Sequence, residues 1–194
     1  MQLDLDRVAA YEPCAITDEP HDAAVLVPVI ERDGESYLLF TKRADHLGEH
    51  PGQMSFPGGG REPEDADSRE TALREANEEI ALDPADASIV GRLDDIRTIT
   101  EYAVTPVVAR VPDRQYVPNE SEVAEIIVVS VSALLASENY ESEFRDHPHY
   151  GEIVIHYFHV DGYTIWGATG RIVVDFLERT TNWRAPERID RDLA

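Results

Sequence analysis

Ala23 to Ile30 (AAVLVPVI) is an unbroken apolar run of strand length, and it reads as a buried strand. Glu31-Arg32-Asp33-Gly34 supplies turn chemistry behind it, and Ser36 to Thr41 (SYLLFT) reads as its hairpin partner. Lys42 to Arg61, rich in Gly, Pro and His, reads as a long loop ending in Phe56-Pro57-Gly58-Gly59-Gly60; loops of that length inside a compact domain usually carry function. Helical spacing follows. Ala72, Leu73, Ala76 and Ile80 share one face, whereas Arg69, Glu70, Glu75, Glu78 and Glu79 do not. Asp67 with Glu70 fits a capping box, and Pro84 lies beyond the helix end. Strand-like runs resume at Ser88 to Arg97, Ala103 to Val111, Ala124 to Val131 and Glu152 to Val160. Short helices are expected at Leu3 to Tyr11 and Ser132 to Ser137, and a closing helix at Thr169 to Arg179. The pattern predicts one mixed α/β domain over residues 23–180, with an N-terminal extension over 1–22 packed on it and a C-terminal tail over 181–194.

Charge narrows the function classes. The chain has 39 acidic against 17 basic residues, a net charge of −22, and Lys42 is its only lysine. A nonspecific nucleic-acid binder needs the opposite sign to neutralise phosphates. A hydrophobic fraction of 42% with clear periodicity argues equally against disorder. Adaptation to very high salt is the expectation, since screening makes self-repulsion tolerable there. No apolar stretch approaches the length of a spanning helix, and the N-terminus has neither a basic start nor an apolar signal core. A soluble cytoplasmic protein without a membrane partner is expected, as a monomer or homodimer. The single cysteine, Cys14, allows no internal disulfide or paired-Cys zinc site and reads as an ordinary buried or semi-buried thiol.

Chemistry concentrates on the central helix. Glu75, Glu78 and Glu79 stand at i, i+3 and i+4, so they share a stripe and repel by a few tenths of a kcal/mol per pair. A multivalent cation reverses that sign, and Mg²⁺ prefers such oxygens and is commonly shared with substrate phosphates. On the glutamates alone, a solvated acidic face is the simpler reading. The preceding loop shifts the balance. Gly60 lies fourteen residues before Arg74, and the run Arg74-Glu75-Ala76-Asn77-Glu78-Glu79-Ile80-Ala81-Leu82 follows. Together they resemble the signature of the Nudix family: Gly, five residues, Glu, seven residues, then Arg-Glu-apolar-x-Glu-Glu-x-Gly-apolar. Ala66 stands where that pattern has its first Glu, and Ala81 where it has its final Gly. Glu64 or Asp65 is placed to cover the missing acid, and Ala81 predicts an altered helix exit.

The resemblance implies an α/β/α sandwich with a mixed central sheet and a Mg²⁺ or Mn²⁺ cofactor. It makes Glu75 and Glu79 the principal ligands, Glu78 a further ligand or the base acting on water, and Arg74 the residue orienting the carboxylates. A carbonyl of Gly58 or Gly59 adds a ligand. A carboxylate from outside the helix is also implied; Glu101, Glu120 and Glu122 remain open, with Glu122 the working choice.

Leu38-Leu39-Phe40-Thr41-Lys42-Arg43-Ala44 and Gly52-Gln53-Met54-Ser55-Phe56-Pro57-Gly58-Gly59 further resemble the additional motif of coenzyme A pyrophosphatases in that family. Tyr102 to Pro106 and Ile165 to Thr169 share the likeness. It implies substrate contacts from Arg43, Gly52, Gln53, Ser55, Phe56, Gly58 and Gly59, although Gln53 reads equally as a loop-bracing amide. Gly48 replaces the motif's second Arg, and Arg43, His46, His50 or Arg61 are positioned to compensate. The histidines otherwise read as solvent-exposed, and Trp166, at a strand-to-helix junction, reads as core. The reaction implied is hydrolysis of coenzyme A to 3′,5′-ADP and 4′-phosphopantetheine. The alternatives are ADP-ribose, a dinucleotide or a nucleoside triphosphate as substrate, or a non-catalytic nucleotide sensor on the same fold.

Overall fold

The computed structural model describes residues 3–44, 46, 52–147 and 151–186. Its centre is β1 (His21–Arg32), buried through Leu26, Val27, Val29 and Ile30. Asp33 and Gly34 both adopt positive φ (50° and 79°), the backbone a two-residue hairpin turn requires. They return the chain as β2 (Glu35–Arg43), with Arg32 opposite Glu35 and Val29 opposite Leu38. The expected loop contains two short strands. β3 (Met54–Ser55) pairs with the end of β2, and β4 (Gly58–Gly60) pairs with Ala23 to Val25 of β1. After α2 (Ser68–Ile80), β5 (Ser88–Arg92) and β6 (Ile96–Arg97) both pair with β7 (Tyr102–Arg110). β7 runs parallel to β1, which makes the sheet mixed, and β8 (Val123–Ser130) lies antiparallel to β2. The main sheet has the order β3-β2-β1-β7-β5.

β9 (Tyr140–His147), β10 (Gly151–Val160) and β11 (Tyr163–Ile165) form a second, three-stranded sheet. The helices are α1 (Asp6–Ala9), α2, α3 (Val131–Leu135) and α4 (Gly167–Thr180). Side chains alternate across the main sheet and define two cores. On one face Ala24, Leu26, Ile30 and Leu39 meet Ala72, Ala76 and Ile80 of α2. On the other, Val27, Val29, Leu38 and Phe40 meet Ile172, Val173, Phe176 and Leu177 of α4, together with Leu3, Leu5 and Val8. Each such Leu, Ile or Phe contributes about 1.5–3 kcal/mol of burial. The small Ala72 and Ala76 let α2 lie close against the sheet, and this closeness brings its glutamates to β4.

Three expectations change. The run Ser88 to Arg97 breaks in the middle because Asp94 and Asp95 turn aside to serve the N-terminal segment. Asp94 accepts from Tyr11 Oη (2.8 Å) and the Cys14 amide (2.7 Å), and Asp95 accepts from the Ile16 amide (2.9 Å). Cys14 is exposed rather than buried, since its backbone, not its thiol, anchors this contact. The helix exit is not altered by Ala81, which takes the left-handed conformation (φ 54°, ψ 36°) that glycine would supply. The Ala81 amide donates to Asn77 O (3.1 Å) and the Leu82 amide to Ala76 O (3.3 Å), closing the helix end.

That left-handed residue carries strain of roughly 1–2 kcal/mol. Ala81→Gly relieves it but enlarges the freedom of the unfolded chain by about 0.4–1 kcal/mol. A net stabilisation of about 0.5–1 kcal/mol is therefore expected in urea unfolding, with an unchanged denaturant slope.

Candidate active site

The start of α2 is fixed locally. Asp67 Oδ1 accepts from the amides of Arg69 (2.8 Å) and Glu70 (3.1 Å), and Glu70 Oε2 reaches back to the Ala66 amide (2.8 Å). The reciprocal pair of a capping box is present, displaced by one residue at its return arm. Asp65, not Glu64, covers the acid missing at position 66. It is 7% exposed, and its two oxygens accept from Arg74 Nε (3.1 Å) and Nη2 (3.1 Å). Thr71 Oγ1 (3.0 Å) and the Glu62 amide (2.9 Å) complete its shell. The Arg74 guanidinium beside it holds the Asp65 carboxyl down to about 2, and Asp65 in turn raises Arg74.

Arg74 spends its remaining donors on the site. Nη2 binds Gly60 O (2.9 Å), while Nη1 reaches Glu75 Oε1 (2.9 Å) and Glu78 Oε2 (3.3 Å). The orienting role implied for it thus has a geometry. Glu75 and Glu78 are both drawn to Arg74, and the Glu78 side chain is half exposed. Glu79 is different: it is 8% exposed, and its Oε2 is buried without a hydrogen-bond partner. Burial, reinforced by the charges of Glu75 and Glu122, pushes the Glu79 carboxyl up to about 8, against the pull of the Gly58 amide and Arg43. Burial likewise raises Glu75, opposed by Arg74 and assisted by Glu78 and Glu122.

The charge of Glu122, from outside the helix, thus acts on both Glu75 and Glu79. A turn explains its placement: the Asn119 amide donates to Glu79 O (2.9 Å), and the Glu122 and Val123 amides donate to Asn119 O (2.9 and 2.8 Å). Glu101 sits instead in the tight turn at Thr98 to Tyr102, with φ 61°.

The glycines divide the work. A Cβ on Gly58 would meet Ala24 O at 2.4 Å and Val25 Cα at 2.6 Å, so Gly58 is what lets β4 lie on β1. A Cβ on Gly59 would meet the Glu75 carboxylate at 2.5 Å. Gly58→Ala is accordingly expected to destabilise the fold by several kcal/mol, on the order of other overpacked sites. Gly59→Ala should leave melting within a few degrees but lower turnover at least tenfold, because the flexible Glu75 side chain gives way. Thermal melting and steady-state rates on both variants separate these effects; equal loss of stability in the two would contradict the division.

Among the described residues no three Asp, Glu, His or Cys side chains are already closed around one point. The donor set still suits a divalent cation. A buried carboxylate oxygen lacks a partner, two further carboxylates raise its pKa, and a glycine strand leaves room beside one of them. A hard cation satisfies that oxygen and reverses the repulsion.

The other residues expected to contact substrate differ in their placement. Ser55 Oγ pairs with Thr41 Oγ1 (3.1 Å), and Gly52 and Gln53 close the turn onto Arg43 through backbone bonds of 3.1 and 3.0 Å. Phe56 is corrected: it is 2% exposed and stacks on Phe40 (4.7 Å between centroids), so its ring serves the core. His46 is exposed, and Gly48 and His50 lie outside the described residues. Trp166 is also corrected. It is 37% exposed and lines a cleft of about 350 Å³ with Lys42, Gln53, Met54 and Tyr163. Its environment is set by the second sheet, whose β9 the sequence reading missed because Tyr140 to His147 is crowded with charge.

Comparison with known proteins agrees with this architecture. A protein named "Uncharacterized Nudix hydrolase NudL" from Enterobacter sp. (strain 638) is 38% identical over 155 residues, 78% of each chain. A relative of the same name from Yersinia enterocolitica is 38% identical over 167 residues, covering 84% of this chain and 83% of its own. The crystal structure of a MutT/nudix family protein from Enterococcus faecalis superposes with a TM-score of 0.52 at 12% identity, covering 87% of this chain and 64% of that one, a likeness of fold alone. The NUDIX domain model matches residues 20–151, more than half of the chain, and together with the 38% identical relatives this establishes that the chain belongs to the Nudix hydrolase family.

Proposed function

We propose that this Nudix hydrolase cleaves the diphosphate of coenzyme A, with Mg²⁺ or Mn²⁺, to 3′,5′-ADP and 4′-phosphopantetheine. The observation that carries the hydrolytic reading is Glu79, a buried carboxylate with an orphaned oxygen, set between Glu75, Glu122 and the glycine strand. Glu75 and Glu79, with a carbonyl of Gly59, would hold the cation. When bound, the cation neutralises the diphosphate and acidifies the attacking water. Arg74, locked by Asp65, keeps Glu75 and Glu78 in register with β4. Glu78, the most exposed of the three, takes the proton as the water oxygen bonds to one phosphorus. The bond from that phosphorus to the bridging oxygen breaks in line, and the departing phosphate carries away the electron pair. Glu122 adds charge at the same place. The choice of coenzyme A rests on the LLFTKRA and GQMSFPGG segments, which pair as β2 and β3 at the site's edge.

Incubation with Mg²⁺ or Mn²⁺ and a panel of coenzyme A, ADP-ribose, a dinucleoside polyphosphate and ATP, read by mass spectrometry, tests the reading. The expected result is release of 3′,5′-ADP and 4′-phosphopantetheine at the highest kcat/KM of the set. A clear preference for ADP-ribose would overturn the substrate choice, and tight binding without turnover would favour a sensor.

The net charge of −22 further supports a cytoplasm of high salt as the working environment. Among the described residues no helix is long and apolar enough to cross a membrane. The melting temperature is expected to rise between roughly 0.1 M and 2 M KCl as the Debye length falls below about 3 Å. A flat or falling dependence would refute the salt adaptation.

A further inference from the structure

The cleft beside Trp166 has a chemistry that the hydrolytic machinery does not use. Lys42 is the only lysine of a chain with 39 acidic residues, yet its ammonium has no ion-pair or hydrogen-bond partner among the described residues. Its natural neutraliser is at hand: Glu125 stands directly opposite it across β2 and β8. That carboxylate makes no ion pair with it and instead accepts from the Tyr163 hydroxyl through Oε1 at 2.6 Å. Among the described residues the lysine thus lies half-buried on the cleft wall without an ion pair.

Two more polar groups on the same wall lack partners. The Gln53 carboxamide and the Trp166 indole N–H make no hydrogen bond among the described residues. Gln53 Nε2 lies over Gly167, where an added Cβ would be 3.9 Å away, so the amide reaches across to the start of α4. Trp166 itself is braced. Its ring lies nearly parallel to Tyr157 (6.1 Å, 13°), and Tyr157 in turn lies parallel to His159 (6.2 Å, 5°). Tyr157 Oη donates to Glu143 (2.7 Å), and His159 pairs with Glu141 (3.0 Å), which pins the row of rings. A rigid, partly exposed indole beside a cation and an amide that no described residue pairs suits a planar heteroaromatic ring that bears an anion. A volume of about 350 Å³ is within the range of small-molecule sites.

We infer that this cleft binds the nucleoside end of the substrate, with a purine stacked on Trp166 and a phosphomonoester outside the scissile diphosphate held by Lys42. The inference deepens the proposed function and rests on it for the identity of the substrate. It makes the extra phosphate a determinant of specificity: a ligand lacking that group leaves the ammonium without its anion.

Calorimetric titration of the full-length protein with 3′,5′-ADP and with 5′-AMP reads this without turnover. The bisphosphate is expected to bind at least tenfold more tightly. In Lys42→Met that ratio should fall to near one, while Lys42→Arg, which keeps the charge, should retain most of it. Trp166→Ala should weaken both ligands by roughly tenfold, the usual effect of losing one base-stacking ring. Melting curves check that the variants are folded. A ratio near one in the wild type, or an unchanged ratio in Lys42→Met, would overturn the assignment. Coenzyme A hydrolysis is followed in parallel: its absence with the binding ratio intact would strike the substrate reading alone, and its presence with no ratio would strike the cleft alone.

Discussion

Glu79→Gln is expected to lower turnover by roughly a thousandfold while making the metal-free protein more stable at pH 8. Loss of one anionic ligand removes several kcal/mol of transition-state stabilisation, and about 1.4 kcal/mol corresponds to each tenfold in rate. The stability gain has a separate cause. Glu79 Oε2 is buried without a partner, and its carboxyl is pushed up to about 8, first by burial and then by Glu75 and Glu122. A carboxyl raised in the folded chain binds its proton more tightly there than in the unfolded chain. The metal-free protein therefore loses stability as pH rises from about 4.5, the ordinary carboxyl value, through about 8. Gln carries no charge to desolvate, so about 1–3 kcal/mol should be recovered at pH 8, worth several degrees of melting temperature. At pH 4 the two proteins should melt alike, because Glu79 is protonated whether folded or not. A loss of both stability and activity would mean that Glu79 is a structural group.

Asp65→Ala tests the substitute for the missing motif acid. Arg74 would lose the partner of both Nε and Nη2, and Thr71 and the Glu62 amide would lose their acceptor. Breaking a buried pair costs about 3–5 kcal/mol, and the lower end applies because the Arg74 side chain remains 21% exposed. Since Arg74 orients Glu75 and Glu78, turnover should also fall about 10–100-fold, as when a supporting group of a metal site is removed. The pH dependence has the opposite sign to that of Glu79. The Asp65 carboxyl is lowered to about 2, so its contribution is complete above about pH 4 and disappears as pH falls toward 2. Urea titrations at pH 7 and pH 2 check this: the variant should be far weaker at the first and nearly equal to the wild type at the second.

These two residues mark how far the chain could be read before its structure was known. α2 was legible to its cap, because Asp67 acts on amides two and three residues away and Ala72, Ala76 and Ile80 repeat at the helical period. The hairpin was legible for the same reason, since Asp33-Gly34 fixes its own turn. Local chemistry left Asp65 and Glu64 as equals; only the approach of Arg74 and Thr71 separates the buried one from the exposed one. Glu122 was a working choice that no local feature set above Glu101 or Glu120, because the turn that brings it in hangs on the carbonyl of Glu79 across the fold. Trp166 and Phe56 exchanged their expected places because burial depends on neighbours distant in sequence. Phe56 meets Phe40 across the β2–β3 pairing, whereas Trp166 stands on a second sheet that leaves its ring beside Lys42.

Crystals grown with Mn²⁺ and measured at an anomalous wavelength give the most direct test. An anomalous peak is expected within coordination distance of Glu79 Oε2 and the Glu75 carboxylate, with Glu75 withdrawn from Arg74. Saturating Mn²⁺ with no peak at Glu79, and Glu75 still bonded to Arg74, would contradict the claim that this helix captures the divalent ion.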